Sequence, residues 1–214
     1  MTLQNLTPAE IIAHERIELV NTLSQAQSSD PTLCEGWECR HLLAHLILRE
    51  TEVLTAAGVL GGPLGKRTEK VTNFRAEGLS DRAAYEHALD RFAHLNGYFK
   101  MHTLFPQADV KMNLIEYFVH IEDVRRAGEG WEPRSLPHSV QQAIWDNLRS
   151  RAKMMVGKKY PHGLILEAPG FVDMSLTVVE PAQSSIPATV LTGEPGELVL
   201  YLFGREEMAK VEVS

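Results

Sequence analysis

Two short stretches carry residues whose types and spacing could do chemistry. "RHLLAH" holds His41 and His45, and "EYFVHIED" holds Glu116, His120 and Asp123. Residues three or four apart on a helix lie on one face, one turn from each other. Counting in those steps puts Met112, Ile115, Glu116, Val119, His120 and Asp123 together. Leu114, Phe118 and Ile121 make the remaining surface of that helix apolar, which predicts burial. His45 falls in a second stripe, Leu42, His45, Leu46 and Arg49. Charged and titratable groups are rarely buried without partners. One reading is a Glu–His pair that satisfies itself by hydrogen bonding. The other joins the two helices: two neutral imidazoles and one carboxylate form a three-ligand set with room for water or substrate. That pattern suits catalytic zinc and also other divalent ions, and bundle cores are a known place to build it.

The elements that must position these groups read as helices first and strands later. Thr7, Pro8 and Glu10 form a capping box with proline at the first helical position, opening a helix through "TPAEIIAHERIELVNTLSQA". "SSDPTLCEGWE" reads as a loop, and a second helix follows through "CRHLLAHLILRETEVLTAA". "GGPLGKRTEKVTNFRAEGLS" reads as a long connecting loop, and Ser80 as the cap of a third helix, "DRAAYEHALDRFAHLNGYFK". The fourth runs from about Asp109 to Ala127 and ends in "GEGWEPRS". Four such helices predict a four-helix bundle. A fifth spans about residues 136–156. Beyond it "GLILEA", "GFVDMSLTVV", "PATVLT" and "GELVLYLF" read as strands between turn-forming stretches. The expected organisation is therefore α+β, with a helical unit over residues 1–130 and an α+β unit over 131–214.

Composition narrows the function classes. The chain has 214 residues, enough to bury a sizeable core. Hydrophobic residues make up 44%, and the net charge of −7 disfavours a nucleic-acid partner, which calls for a basic stripe. No apolar run is long enough to predict a membrane span, and the N-terminus lacks the pattern of a secretion signal, so a cytoplasmic protein is expected. The two cysteines, Cys34 and Cys39, are too few for a disulfide framework or a four-thiolate zinc site and read as free thiols. His14, His87, His94 and His102 match no ligand spacing, and His138 and His162 sit beside prolines, so all six read as surface or packing residues. "HSV" and "MSL" form no nucleophile elbow, and no glycine-rich phosphate loop is present. The basic run "RSRAKMMVGKKY" reads as a solvated helix end.

"GWECRHLLAHL" resembles the motif G-W-x-x-x-D-L-x-x-H-L of the mycothiol-dependent maleylpyruvate isomerase family, among the DinB-like metal-binding bundles. "EYFVHIEDVRRA" resembles that family's second motif, E-x-x-x-H followed closely by Asp. "GELVLYLFGR" resembles the strand ending in Gly-Arg of its second domain. The best match is to an uncharacterised actinobacterial branch of metal-binding proteins. The resemblance covers most of the chain and is weak between about residues 55 and 108. It implies a DinB-like bundle followed by a small sterol-carrier-like α+β domain. By motif position it assigns a divalent metal, typically zinc with nickel or iron(II) as alternatives, to His45, Glu116 and His120. It implies mycothiol as co-substrate, a small electrophilic and anionic substrate, and Arg205 as its anion-binding group. The activity implied is isomerisation or thiol transfer; the alternative is a non-catalytic protein binding a metal and a small ligand. The motif's usual Asp is His41 here. His41 and His45 could instead chelate as a pair, with Glu116 or His120 behind them, and the change puts in doubt the role of the family's Asp, such as orienting the loop that carries Trp37. Asp123 could accept a hydrogen bond from a ligand imidazole, or pair with Arg126 at the surface.

Overall fold

The computed structural model describes residues 6–52, 62–95, 106–156, 158–182 and 185–214, and the side chains of all of these except 62–67 and 106–112. The architecture is α+β, with seven α-helices among the described residues and one four-stranded sheet. Two compact units make up the chain: Ile12–Trp131, and Met1–Ile11 together with Glu132–Ser214.

Helix α1 covers Pro8–Gln25. Its start is a reciprocal cap: Thr7 N–H donates to Glu10 Oε2 at 2.8 Å, and Glu10 N–H donates to Thr7 Oγ1 at 3.4 Å. Helix α2 covers Cys39–Thr51, α3 Gly62–Glu77, α4 Arg82–His94 and α5 Pro106–Arg125. The core is filled from α1, α2, α4 and α5: Leu19 and Leu23; Leu42, Leu43 and Leu46; Tyr85, Leu89 and Phe92; Tyr117 and Ile121. Each fully buried large apolar side chain contributes about 1.5–3 kcal/mol, so this stripe packing is what forces α2 and α5 to turn one face inward.

Two readings of this unit are corrected. The segment read as a connecting loop after residue 61 contains helix α3. Its glycines and basic residues suggest a loop, but Thr72 and Ala76, four apart, are fully buried and give the segment an inner face. The cap of α4 is Asp81 rather than Ser80. Asp81 Oδ2 accepts from Ala83 N–H at 3.0 Å and Ala84 N–H at 3.2 Å, whereas Ser80 Oγ donates to Glu77 O at 3.0 Å. The predicted ends of the second and third helices, 53–57 and 96–100, lie outside the described residues.

In the other unit, helix α6 covers His138–Val156 and buries Val140, Ile144, Trp145 and Leu148. Trp145 is fully buried, and its indole N–H donates to the carbonyls of Val172 and Asp173, both at 3.1 Å. Strands β1 Leu164–Glu167, β2 Ser175–Val179, β3 Thr189–Thr192 and β4 Glu212–Val213 are ordered β2-β1-β3-β4. β1 pairs antiparallel with β2 and parallel with β3, and β3 pairs antiparallel with β4.

The predicted last strand, "GELVLYLF", is instead helix α7, Pro195–Leu202. A short apolar run fits a buried strand or a buried helix equally well by periodicity. The arbiters are at its ends: Pro195 stands at the first helical position, and Gly204 adopts a left-handed φ of +84° just past the last turn. That turn lets Arg205 N–H reach back to Leu200 O at 3.0 Å.

Candidate metal centre

Helix α2 is launched by a tight loop. Gly36 takes a left-handed φ of +74°, which a side-chain-bearing residue adopts only with strain. Trp37 N–H then donates to Cys34 O at 2.9 Å, and Pro31 bridges Glu38 across the turn. His41, the third residue of the helix, accepts the Glu38 N–H on its Nδ1 at 3.1 Å. It fills the place that Glu holds in an ordinary capping box. One turn on, His45 is buried and faces α5.

On α5, Glu116 and His120 sit one turn apart. Glu116 Oε1 lies 3.3 Å from His45 Nε2 and 3.3 Å from His120 Nε2. The three ligand-type atoms all lie within 4.8 Å of one another. The rings of His45 and His120 meet edge to face, with centroids 5.4 Å apart. Asp123 is fully buried and accepts from His120 Nδ1 at 2.9 Å. That bond fixes the proton on Nδ1 and leaves Nε2 facing Glu116.

The electrostatics follow from these contacts. Burial pushes the His45 pKa below the ordinary histidine value; the neighbouring His120 and Arg49 charges push the same way, and Glu116 only partly opposes them. His45 is thus a neutral imidazole. Burial works against an ionised Glu116, but the Arg49 guanidinium and both imidazoles outweigh it and hold the carboxyl well below its usual range. Burial likewise opposes a charged His120. Hydrogen bonds to Asp123, Cys34 and Glu116 prevail and raise its pKa well above the ordinary value.

His45, Glu116 and His120 are therefore brought together, and Asp123 stands behind His120. His41 is not part of the cluster; its Nδ1 is spent on the helix start. Arg126, the other partner considered for Asp123, has its Nε on Glu122 Oε2 at 2.5 Å. Arg205 belongs to the other unit, where its Nη1 donates to Phe203 O at 2.6 Å. His14 pairs with Glu15, His94 Nδ1 donates to Asp90 O, and His138 stacks on Phe171. His102 lies outside the described residues.

Three contributors went unread as site residues in the sequence. Arg49 Nε lies 3.5 Å from Glu116 Oε1, and its Nη1 donates to Asn113 Oδ1 at 2.8 Å. Cys34 Sγ donates to Asp123 Oδ2 at 3.2 Å, and the Trp37 ring lies 5.3 Å from that of His45. Only Arg49 had a local hint, its place in the His45 stripe.

The donor set fits a divalent ion. With metal–nitrogen and metal–oxygen distances of about 2.0–2.2 Å, neighbouring ligands of a tetrahedral site stand about 3.3–3.5 Å apart. The two contacts to Glu116 Oε1 are of that length. They are long for the charge-assisted hydrogen bonds that these groups form when they pair directly. His45 Nδ1, the ring nitrogen that does not face Glu116, is buried without a hydrogen-bond partner.

Residues 10–97 match the model of the mycothiol maleylpyruvate isomerase N-terminal domain. Over those residues the chain is similar to that domain. The match takes in His41 and His45 and stops before Glu116. Among solved structures, the crystal structure of the mycothiol-dependent maleylpyruvate isomerase is similar at a TM-score of 0.56 and 18% identity, covering 100% of this chain and 95% of that one. A histidine-to-alanine mutant of that enzyme is similar at a TM-score of 0.57, also at 18% identity. The likeness to both is one of fold. No curated protein matches the chain. Among the described residues no helix is long and apolar enough to cross a membrane.

Proposed function

We propose that this protein is a metal-dependent enzyme that uses a low-molecular-weight thiol, mycothiol, to isomerise or thiolate a small electrophilic, anionic substrate. The observation that carries the reading is the spacing of His45 Nε2, Glu116 Oε1 and His120 Nε2, in a helical unit whose residues 10–97 are similar to the mycothiol maleylpyruvate isomerase N-terminal domain. His45, Glu116 and His120 hold the metal, zinc in preference to nickel or iron(II). Three protein ligands leave a position open, as catalytic sites do. Held there, a divalent ion would lower the pKa of a bound thiol and so supply a thiolate at neutral pH.

The chain's own groups do the rest. Asp123 keeps His120 in the tautomer that offers Nε2. Arg49 compensates the Glu116 charge from the side of Asn113. Arg205 takes the substrate's anionic group through its planar fork. In this reading residues 1–130 are a DinB-like bundle and residues 131–214 a sterol-carrier-like domain, and the protein works in an actinobacterial cytoplasm.

Metal analysis of the purified chain tests the site, with about one equivalent expected. Titration of mycothiol into the cobalt-substituted protein tests the open position, because an arriving thiol changes the visible spectrum. Turnover of maleylpyruvate or another activated electrophile with mycothiol then tests the activity. Metal and thiol binding without turnover would leave a non-catalytic metal- and small-ligand-binding protein. Absence of metal in wild type and its His45→Ala variant alike would leave a self-satisfied polar cluster.

A further inference from the structure

The loop between α1 and α2 touches both imidazoles of the site, and nothing in the ligand set requires that. It meets His120 directly at the Cys34 thiol and again through Asp123. A single carboxylate oxygen, Asp123 Oδ2, accepts from the Cys34 thiol at 3.2 Å and from His120 Nδ1 at 2.9 Å. The loop is fastened to the same residue by its backbone, because Leu33 N–H donates to Asp123 O at 2.9 Å. Its contact with His45 is the Trp37 ring.

The loop is built to hold these positions. Thr32 Oγ1 donates to Trp37 O at 2.8 Å and accepts the Cys34 N–H at 3.2 Å. Thr32 N–H donates to the same Trp37 carbonyl at 3.2 Å. The turn between Cys34 and Trp37 closes at Gly36. Cys34 and Trp37 are thus clamped to each other before either meets a histidine.

We propose that Cys34 is a positioning residue of the metal centre: its thiol holds the Asp123 carboxylate in the orientation that aims His120 Nε2 at the ion, with Trp37 steadying His45 from the same loop. The proposal rests on the metal reading above. Two donors on one oxygen fix the rotation of a carboxylate better than one does. A carboxylate so fixed presents its acceptor to Nδ1 with a constant direction. The imidazole then loses less freedom when it binds metal. Cys39, five residues on, has no such place. It is fully buried in the helical core, and burial with the charges of Asp30 and Glu38 pushes its thiol up to about 12.

The test is cobalt(II) titration of the metal-stripped full chain, read by visible absorption and by the rate of metal release to a chelator. The wild type, Cys34→Ala, Cys34→Ser and Trp37→Phe are compared, with urea unfolding of each metal-free protein alongside. Loss of a group behind a metal ligand weakens binding about 10–100-fold, and Cys34→Ala is expected near the low end, with faster release. Cys34→Ser keeps a donor for Asp123 and is expected to regain most of the affinity while the metal-free stabilities stay close. A merely structural role would lower stability and leave affinity and spectrum alone, which overturns the proposal. A thiolate-to-cobalt charge-transfer band that Cys34→Ala abolishes would make Cys34 a ligand, and also overturns it. Equal binding by wild type and Cys34→Ala defeats the positioning role only. A wild-type chain that takes up no cobalt defeats the site reading and this role with it.

Discussion

Helices α2 and α5 carry two buried polar clusters that are neighbours in sequence and opposite in build. Arg16, Glu50 and Tyr117 form the first. Arg16 Nη1 donates to Glu50 Oε1 at 2.6 Å and to Tyr117 Oη at 2.9 Å, and Tyr117 Oη donates to Glu50 Oε1 at 2.8 Å. Arg16 Nη2 reaches Phe92 O at 2.5 Å, and the guanidinium lies 4.5 Å over the Phe92 ring. Every contact there closes a donor onto an acceptor at ordinary hydrogen-bond length. His45, Glu116 and His120 form the second, with contacts of 3.3 Å and with Arg49 at 3.5 Å. The first cluster ties its three side chains together by short bonds and leaves only Glu50 Oε2 without a hydrogen-bond partner. The other joins two imidazoles to one carboxylate oxygen by longer contacts, with all three ligand atoms within 4.8 Å of one another. The two clusters bury charge alike and differ in geometry: short bonds in the first, two longer and equal contacts on one carboxylate oxygen in the second.

The sharpest way to break this comparison is to damage the closed cluster. Removing one partner of a buried ion pair leaves the other uncompensated and costs about 3–5 kcal/mol. Glu50→Ala is expected near the low end, because Arg16 keeps 19% of its side chain exposed and can be partly rehydrated. Urea unfolding of the metal-free chain measures it. The comparison predicts that metal affinity is hardly changed; a large loss of metal would show that the two clusters are not separate in function. The reciprocal experiment is His45→Ala. Metal affinity should fall by about 100-fold or more, beyond the range seen for groups behind a ligand, which is about 2.7 kcal/mol of binding. The metal-free stability should fall by about 1–3 kcal/mol, since the buried ring leaves a cavity and Glu116 loses one of its two imidazoles. A stability loss of several kcal/mol with unchanged metal content would turn the tripod into structural packing. Tyr117→Phe is the milder probe of the closed cluster. It deletes one hydroxyl bonded to a charged pair, and about 1.5 kcal/mol of stability should go with it.

Sequence spacing made the centre of the second cluster legible and left its surroundings dark. Glu116, His120 and Asp123 share a face because helical period requires it, and His45 follows from an apolar stripe of the same period. The Thr7–Glu10 cap was equally local and was read correctly. Arg16 gave no sign of its role, for its partners Glu50 and Tyr117 lie 34 and 101 residues away. The Cys34–Asp123 bond spans 89 residues and has no local signature either. Misread elements failed for a different reason. Helix α7 is a short apolar run whose period is ambiguous, and α3 carries loop-like residues on a segment that packing makes helical. Ser80 and Asp81 are both good caps, and only the backbone geometry selects between them. His41 shows the same limit at the site: its spacing to His45 suits chelation, and its place at the helix start commits it to a cap.

The finest test of the comparison is whether the two clusters feel each other. Arg49 neighbours Glu50 in sequence and faces Glu116, and Tyr117 follows Glu116, so a mechanical link is close at hand. If each cluster is bonded within itself, the stability effects of Tyr117→Phe and His45→Ala should add to within about 0.5 kcal/mol in the metal-free chain. Unfolding of the two single variants and the double variant gives the coupling directly. Repeating the cycle with metal bound sharpens it. Metal stabilises the native chain by mass action, so the increment should appear in the wild type and in Tyr117→Phe alike and be lost in both proteins carrying His45→Ala. A coupling above about 1 kcal/mol would mean that Arg49 and the α5 backbone join the clusters into one network. The long contacts around Glu116 would then reflect tension from the closed cluster instead of room for an ion.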